Sequence, residues 1–81
     1  MPDAYARTPR PGDVMVLGPA ASVQFLEPIQ VRIIRRHDWP TTGAEEGWAW
    51  FDVYQLDPDS LAAVDRRTVY VNVHGVHPVA A

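Results

Sequence analysis

The chain contains no cysteine and no lysine. The first absence excludes a disulfide framework, a thiolate metal site and a cysteine nucleophile. The second leaves arginine as the only strong cation. Arginine alone, with abundant alanine, valine and proline, reads as the codon bias of a high-GC bacterial genome and bears on no mechanism. Apolar runs are short, as in Val14-Met15-Val16-Leu17, where a bilayer-spanning helix needs about 20 residues. The opening MPDAYARTPRPGD carries charges and prolines where a secretory leader needs an apolar stretch, so a cytoplasmic protein is the expectation. Basic charge is also scarce. Seven Lys+Arg stand against ten Asp+Glu, for a net charge of -3 and a pI of about 5.4. A nucleic-acid binder usually carries a clustered basic surplus, so that class is disfavoured.

What is present describes one small globular domain. The chain has 81 residues, 47% of them hydrophobic, enough apolar content to build a core and far from the composition of disordered chains. Residues 1–12 hold three prolines and no apolar periodicity, and read as a flexible Pro-rich arm ahead of a single domain over 13–81.

Within that domain the signals are those of strands. Asp13 to Leu17 is ended by Gly18-Pro19, and Ser22 to Leu26 reads as a short strand or extended loop before Glu27-Pro28. Ile29 to Arg36, Trp48 to Leu56 and Arg66 to His74 carry period-2 character. The turn-rich stretch His37 to Gly47 separates the first two of these. Asp57-Pro58-Asp59-Ser60-Leu61-Ala62-Ala63-Val64 is a connection that can wind one helical turn, with Asp57 as its cap and Pro58 at its first position. Gly75 breaks the last long strand, and Val76-His77-Pro78-Val79 closes the fold.

Parity suggests a register for the central meander. Aligning Ile33, Phe51 and Val71, with Val31, Val53 and Val69 as the next layer, gives one continuous apolar face. A one-residue slip would put arginine or asparagine into it. The same alignment puts Arg32, Asp52 and Tyr70 in one row of the opposite face and Ile34, Trp50 and Asn72 in the next. Trp48 then falls near His74, and Tyr54 near Thr68.

Pro11-Gly12-Asp13-Val14 resembles the entry into the first strand of an SH3-like barrel. Val71-Asn72-Val73-His74-Gly75-Val76-His77-Pro78-Val79 resembles its ending, in which a fourth strand runs through a tight 3₁₀-like turn into a fifth strand that returns to the first. The resemblance implies an all-β, small five-stranded antiparallel SH3-like barrel. The chain is also similar to small actinobacterial proteins with no assigned activity. Neither resemblance carries a site residue over, because one fold of this kind hosts many functions.

Chemistry-bearing motifs are sparse. Ser22 and Ser60 are the only serines, and neither lies in a G-x-S-x-G turn. Asp52 stands mid-strand among apolar neighbours. Burial there would raise its pKa toward that of a general acid, but a cross-strand ion pair with Arg32 is the simpler expectation. His74-Gly75-Val76-His77 has H-x-x-H spacing, yet zinc wants about four ligands with supporting partners, and exposed histidines beside a turn explain the pattern. The five glycines are scattered and form no phosphate cradle.

The aromatics remain. Trp48, Trp50, Tyr54 and Tyr70 fall on one face with Arg32 and Asn72 beside them, the residue types that dominate binding hot spots. The expectation is a non-catalytic binding module that holds a peptide or partner protein on this face, with no catalytic residue, metal or cofactor. The alternatives are single-stranded nucleic-acid binding through the aromatics and arginines, and an obligate homo-oligomer with the aromatic face as its own interface.

Overall fold

A computed structural model of the chain describes residues 9–38 and 47–79. Five strands form one antiparallel sheet: β1 (Val14–Leu17), β2 (Ile29–His37), β3 (Trp48–Leu56), β4 (Ala63–Asn72) and β5 (Val76–Pro78), in the spatial order β4-β3-β2-β1-β5. The three long strands are rich in valine, isoleucine and aromatics, which suit a pleated surface packed on one side. A 3₁₀ turn over Val73–Gly75 separates β4 from β5, and β5 pairs back onto β1. Residues 1–8 of the expected arm, and Trp39-Pro40 with most of the loop around it, lie outside the described residues. Residues 10–13 form a turn closed by the Asp13 N–H donating to the Arg10 carbonyl at 3.0 Å; the Gly12 N–H donates to the Ile33 carbonyl of β2 at 2.8 Å, and Pro9 is buried.

The core lies on one face of the sheet. Met15, Leu17, Val31, Ile33, Ala49, Phe51, Val53, Val69, Val71 and Val76 are all buried there, with Phe51 only 1% exposed. Each fully buried side chain of this size contributes roughly 1.5–3 kcal/mol. The connection between β1 and β2 covers this face as a series of turns, adding Ala21 and Phe25 to the core. It is pinned at its far side, where the Asn72 N–H donates to the Ala21 carbonyl at 2.8 Å and the Arg67 guanidinium lies 5.4 Å from the centre of the Phe25 ring. The expected all-β architecture with five antiparallel strands is therefore present. The sheet does not close by strand pairing: β4 and β5 are its two ends, and the β1–β2 connection bridges from β1 toward β4.

The register differs from the expected one in two ways. Between β3 and β4, Phe51 lies opposite Val69 and Ala49 opposite Val71, a shift of two residues from the expected pairing of Phe51 with Val71. A two-residue shift keeps every side chain on its face, so hydrophobic alternation does not distinguish the two registers. The start of β4 decides it. The strand begins at Ala63, following the tight Asp57–Ala62 turn and a register shift at Gln55/Leu56.

Between β2 and β3, Ile33 lies opposite Val53, not Phe51, and a bulge at Ile34 then moves the pairing by one residue. A single extra residue reverses the alternation of everything beyond it. Arg35 and His37 consequently sit opposite Asp52 and Trp50, and the expected rows of Arg32 with Asp52, and of Ile34 with Trp50, do not form.

Candidate functional site

The face opposite the core is assembled by alternation along β3 and β4. Trp48, Trp50, Asp52 and Tyr54 point there from β3, and Arg66, Thr68, Tyr70 and Asn72 from β4. The β2 contribution is Arg32 before the bulge and Arg35 and His37 after it. Four cross-strand rows result: Arg32, Tyr54 and Arg66; Arg35, Asp52 and Thr68; His37, Trp50 and Tyr70; and Trp48 with Asn72.

One end of the face is aromatic. The Tyr70 ring lies between two indoles, with centroids 5.2 Å from Trp48 at 32° and 4.9 Å from Trp50 at 35°. Such tilted, offset contacts suit the quadrupoles of the rings. All three residues are half-buried. The chain enters β3 through Gly47, whose φ of +93° favours glycine. A Cβ at Gly47 would also lie 2.9 Å from His74 Cδ2, so the entry to Trp48 is packed tightly against the 3₁₀ turn.

At the middle of the face stands Asp52, the one buried charged residue among those described, at 5% exposure. Its Oδ1 accepts from the Thr68 hydroxyl at 2.7 Å and lies 2.8 Å from His37 Nε2. Its Oδ2 accepts from Arg66 Nη2 at 3.3 Å and Arg35 Nε at 3.5 Å. The Thr68 hydrogen bond, then those of His37 and Arg35, outweigh burial and hold the carboxyl well below the usual carboxylate range. Asp52 is therefore an anion at neutral pH, the opposite of what a general acid requires. The expected ion pair exists, but its partners are Arg35, Arg66 and His37; Arg32 stands one row away, opposite Tyr54.

The six residues expected to form a binding surface are thus divided. Trp48, Trp50 and Tyr70 come together as a stack. Tyr54 is exposed on the far side of the Asp52 row, next to Arg32 and Arg66. Asn72 is committed to the backbone: its Oδ1 accepts from the His74 N–H at 2.9 Å and caps the 3₁₀ turn. Thr68, His37, Arg35 and Arg66 were not readable as partners of Asp52, because only the bulge at Ile34 and the two-residue register shift place them around it.

Elsewhere the chemistry is thin. His74 and His77 are exposed, one in the 3₁₀ turn and one in β5. Among the described residues no group of three His, Asp or Glu side chains is placed to hold a metal ion. A depression of about 200 Å³ lined by Pro28, Ile29, Gln30, Gln55, Leu56 and Pro58 lies near the end of β3 away from the aromatic stack. Among the described residues no helix is long and apolar enough to cross a membrane. No protein-family model, curated protein or solved structure matches the chain on comparison.

Proposed function

We propose that this chain is a non-catalytic interaction domain that holds a peptide or a segment of a partner protein on the outer face of β3 and β4. The carrying observation is the stack of Tyr70 between Trp48 and Trp50, half-buried on a sheet face that is not the core. Aromatic residues with polar edges give large contact area at low entropic cost, and extended peptides dock on aromatic grooves of this kind. The return of β5 to β1 through a 3₁₀ turn supports reading the fold as SH3-like.

Single-stranded nucleic acid is the second reading, favoured by the exposed arginines beside the stack. The acidic balance of the chain weighs against it. Selection of a random peptide library on the wild type and on a Trp48→Ala/Trp50→Ala variant tests the proposal. Peptides enriched on the wild type and not on the variant support it. A library with no enrichment that depends on the tryptophans contradicts it.

A further inference from the structure

The outer face has two unlike halves, and the half beyond the aromatic stack is cationic. Among the described residues, Arg35, Arg66 and Arg32 surround Asp52 and Tyr54 on adjacent rows, three guanidiniums around the single carboxylate that β3 sends to this face, while Asp65 accepts from the Arg66 backbone N–H. Asp52 does not neutralise them. It takes one N–H from Arg35 and one from Arg66, while a guanidinium carries five. The two side chains are 64% and 61% exposed, whereas the Asp52 side chain is 7% exposed and already faces Thr68 and His37. A carboxylate that is itself buried therefore holds two guanidiniums by one edge each and leaves their remaining donors toward solvent. Orienting the forks in advance reduces the ordering cost of binding an anion.

We infer that Arg35 and Arg66, positioned by Asp52, receive a carboxylate of an acidic peptide whose apolar or aromatic residue sits on the Trp48–Tyr70–Trp50 stack. This rests on the interaction-domain reading and specifies the partner. Charge complementarity selects the occupant: the exposed Arg35 and Arg66 guanidiniums present cationic donors on this face, which a single carboxylate can accept. The cationic subsite lies between the Asp52 and Tyr54 rows, and the aromatic one between the Trp50 and Trp48 rows. Their centres are four residues apart along β3, roughly 13 Å at 3.2–3.4 Å per residue. An extended peptide spanning both carries Asp or Glu four positions from its apolar anchor. Nucleic acid would have to bring a polyanion against a chain of net charge -3, so the peptide is the better fit.

The test uses peptides of about nine residues selected from the random library, their Glu→Gln counterparts, and a short oligo-dT, with affinities read by fluorescence anisotropy. The expected consensus places an acidic residue four positions from an aromatic or aliphatic one. Replacing that acid by glutamine is expected to weaken binding about tenfold in the wild type, as for loss of a charge-assisted hydrogen bond, and to have no effect in Arg35→Gln/Arg66→Gln. Arg66→Gln alone leaves Asp52 with Thr68, His37 and Arg35 and reads the same loss should the double variant fold poorly.

Selected peptides with no acidic preference that still require Trp50 would overturn the inference and leave the interaction-domain reading standing. Peptides that bind independently of Trp48 and Trp50 would overturn both. Oligo-dT bound more tightly than any selected peptide, with the binding lost on Arg35→Gln/Arg66→Gln, would overturn the acidic peptide in favour of nucleic acid.

Discussion

The Thr68 hydroxyl donates to Asp52 Oδ1 across 2.7 Å between β4 and β3, and it is the strongest of the interactions that keep this buried carboxyl ionised. The pair sits at the seam between the aromatic and cationic halves of the outer face. Thr68→Val keeps the shape of the side chain and removes the hydroxyl. It is expected to cost about 1 kcal/mol, within the range for a single hydrogen bond, as measured by urea denaturation at neutral pH.

Acid is expected to destabilise the protein in a defined window. The folded-state pKa of Asp52 is depressed, so the native carboxyl binds protons less readily than the unfolded one. The stability this contributes is complete above the unfolded carboxyl's pKa, near 3.8, and is lost as pH falls through the lower native value. Asp57, lowered chiefly by the backbone N–H groups of Ser60 and Asp59, acts in the same direction. Urea midpoints should hold steady from neutral pH down to that value and fall below it. In Asp52→Asn, where the titrating group is gone, the fall should be smaller.

Gly75 packs directly on the backbone of the β1–β2 connection. A Cβ there would overlap the Ala20 carbonyl and stand 2.6 Å from the Ala21 nitrogen. Neither neighbour is a flexible side chain that can move aside, so Gly75→Ala is expected to cost about 3 kcal/mol or more, the upper range for overpacking. Thermal unfolding followed by circular dichroism checks it; a variant as stable as the wild type would show that the connection does not sit against the 3₁₀ turn.

Asn72 separates a structural role from a binding one. Its side chain caps the 3₁₀ turn through the His74 N–H. Asn72→Ala is expected to lose about 1 kcal/mol of stability, the usual cost of a lost cap, and to bind selected peptides as the wild type does. Weaker peptide binding at unchanged stability would return Asn72 to the binding surface.

Strand content and face assignment were legible because alternation is strict where it matters. In Thr68-Val69-Tyr70-Val71 every second residue is aliphatic, and in Trp50-Phe51-Asp52-Val53-Tyr54 the core residues alternate with the aromatic and acidic ones. Parity places Trp48, Trp50 and Tyr70 on one face, but their stacking depends on the two-residue shift that sets Tyr70 opposite Trp50. The partners of Asp52 do not follow from parity. Ile33 and Ile34 are both apolar, so the pattern reads equally well with or without an extra residue, and the bulge there exchanges Arg32 for Arg35 as the neighbour of Asp52. The β3–β4 register depends on how tightly the Asp57–Ala62 turn closes, which involves backbone bonds to Asp57 and a positive φ at Leu61 that residue types do not announce.

The proposed role of the aromatic face is to receive another protein. Its most direct test is molecular mass by light scattering across a dilution series, for the wild type and for Trp50→Ala. The expected result is a monomer at every concentration for both, with the variant still folded. A wild-type dimer that Trp50→Ala converts to monomer, or that unfolds on dilution, would contradict the claim, because the face would then be occupied by a second copy of the chain.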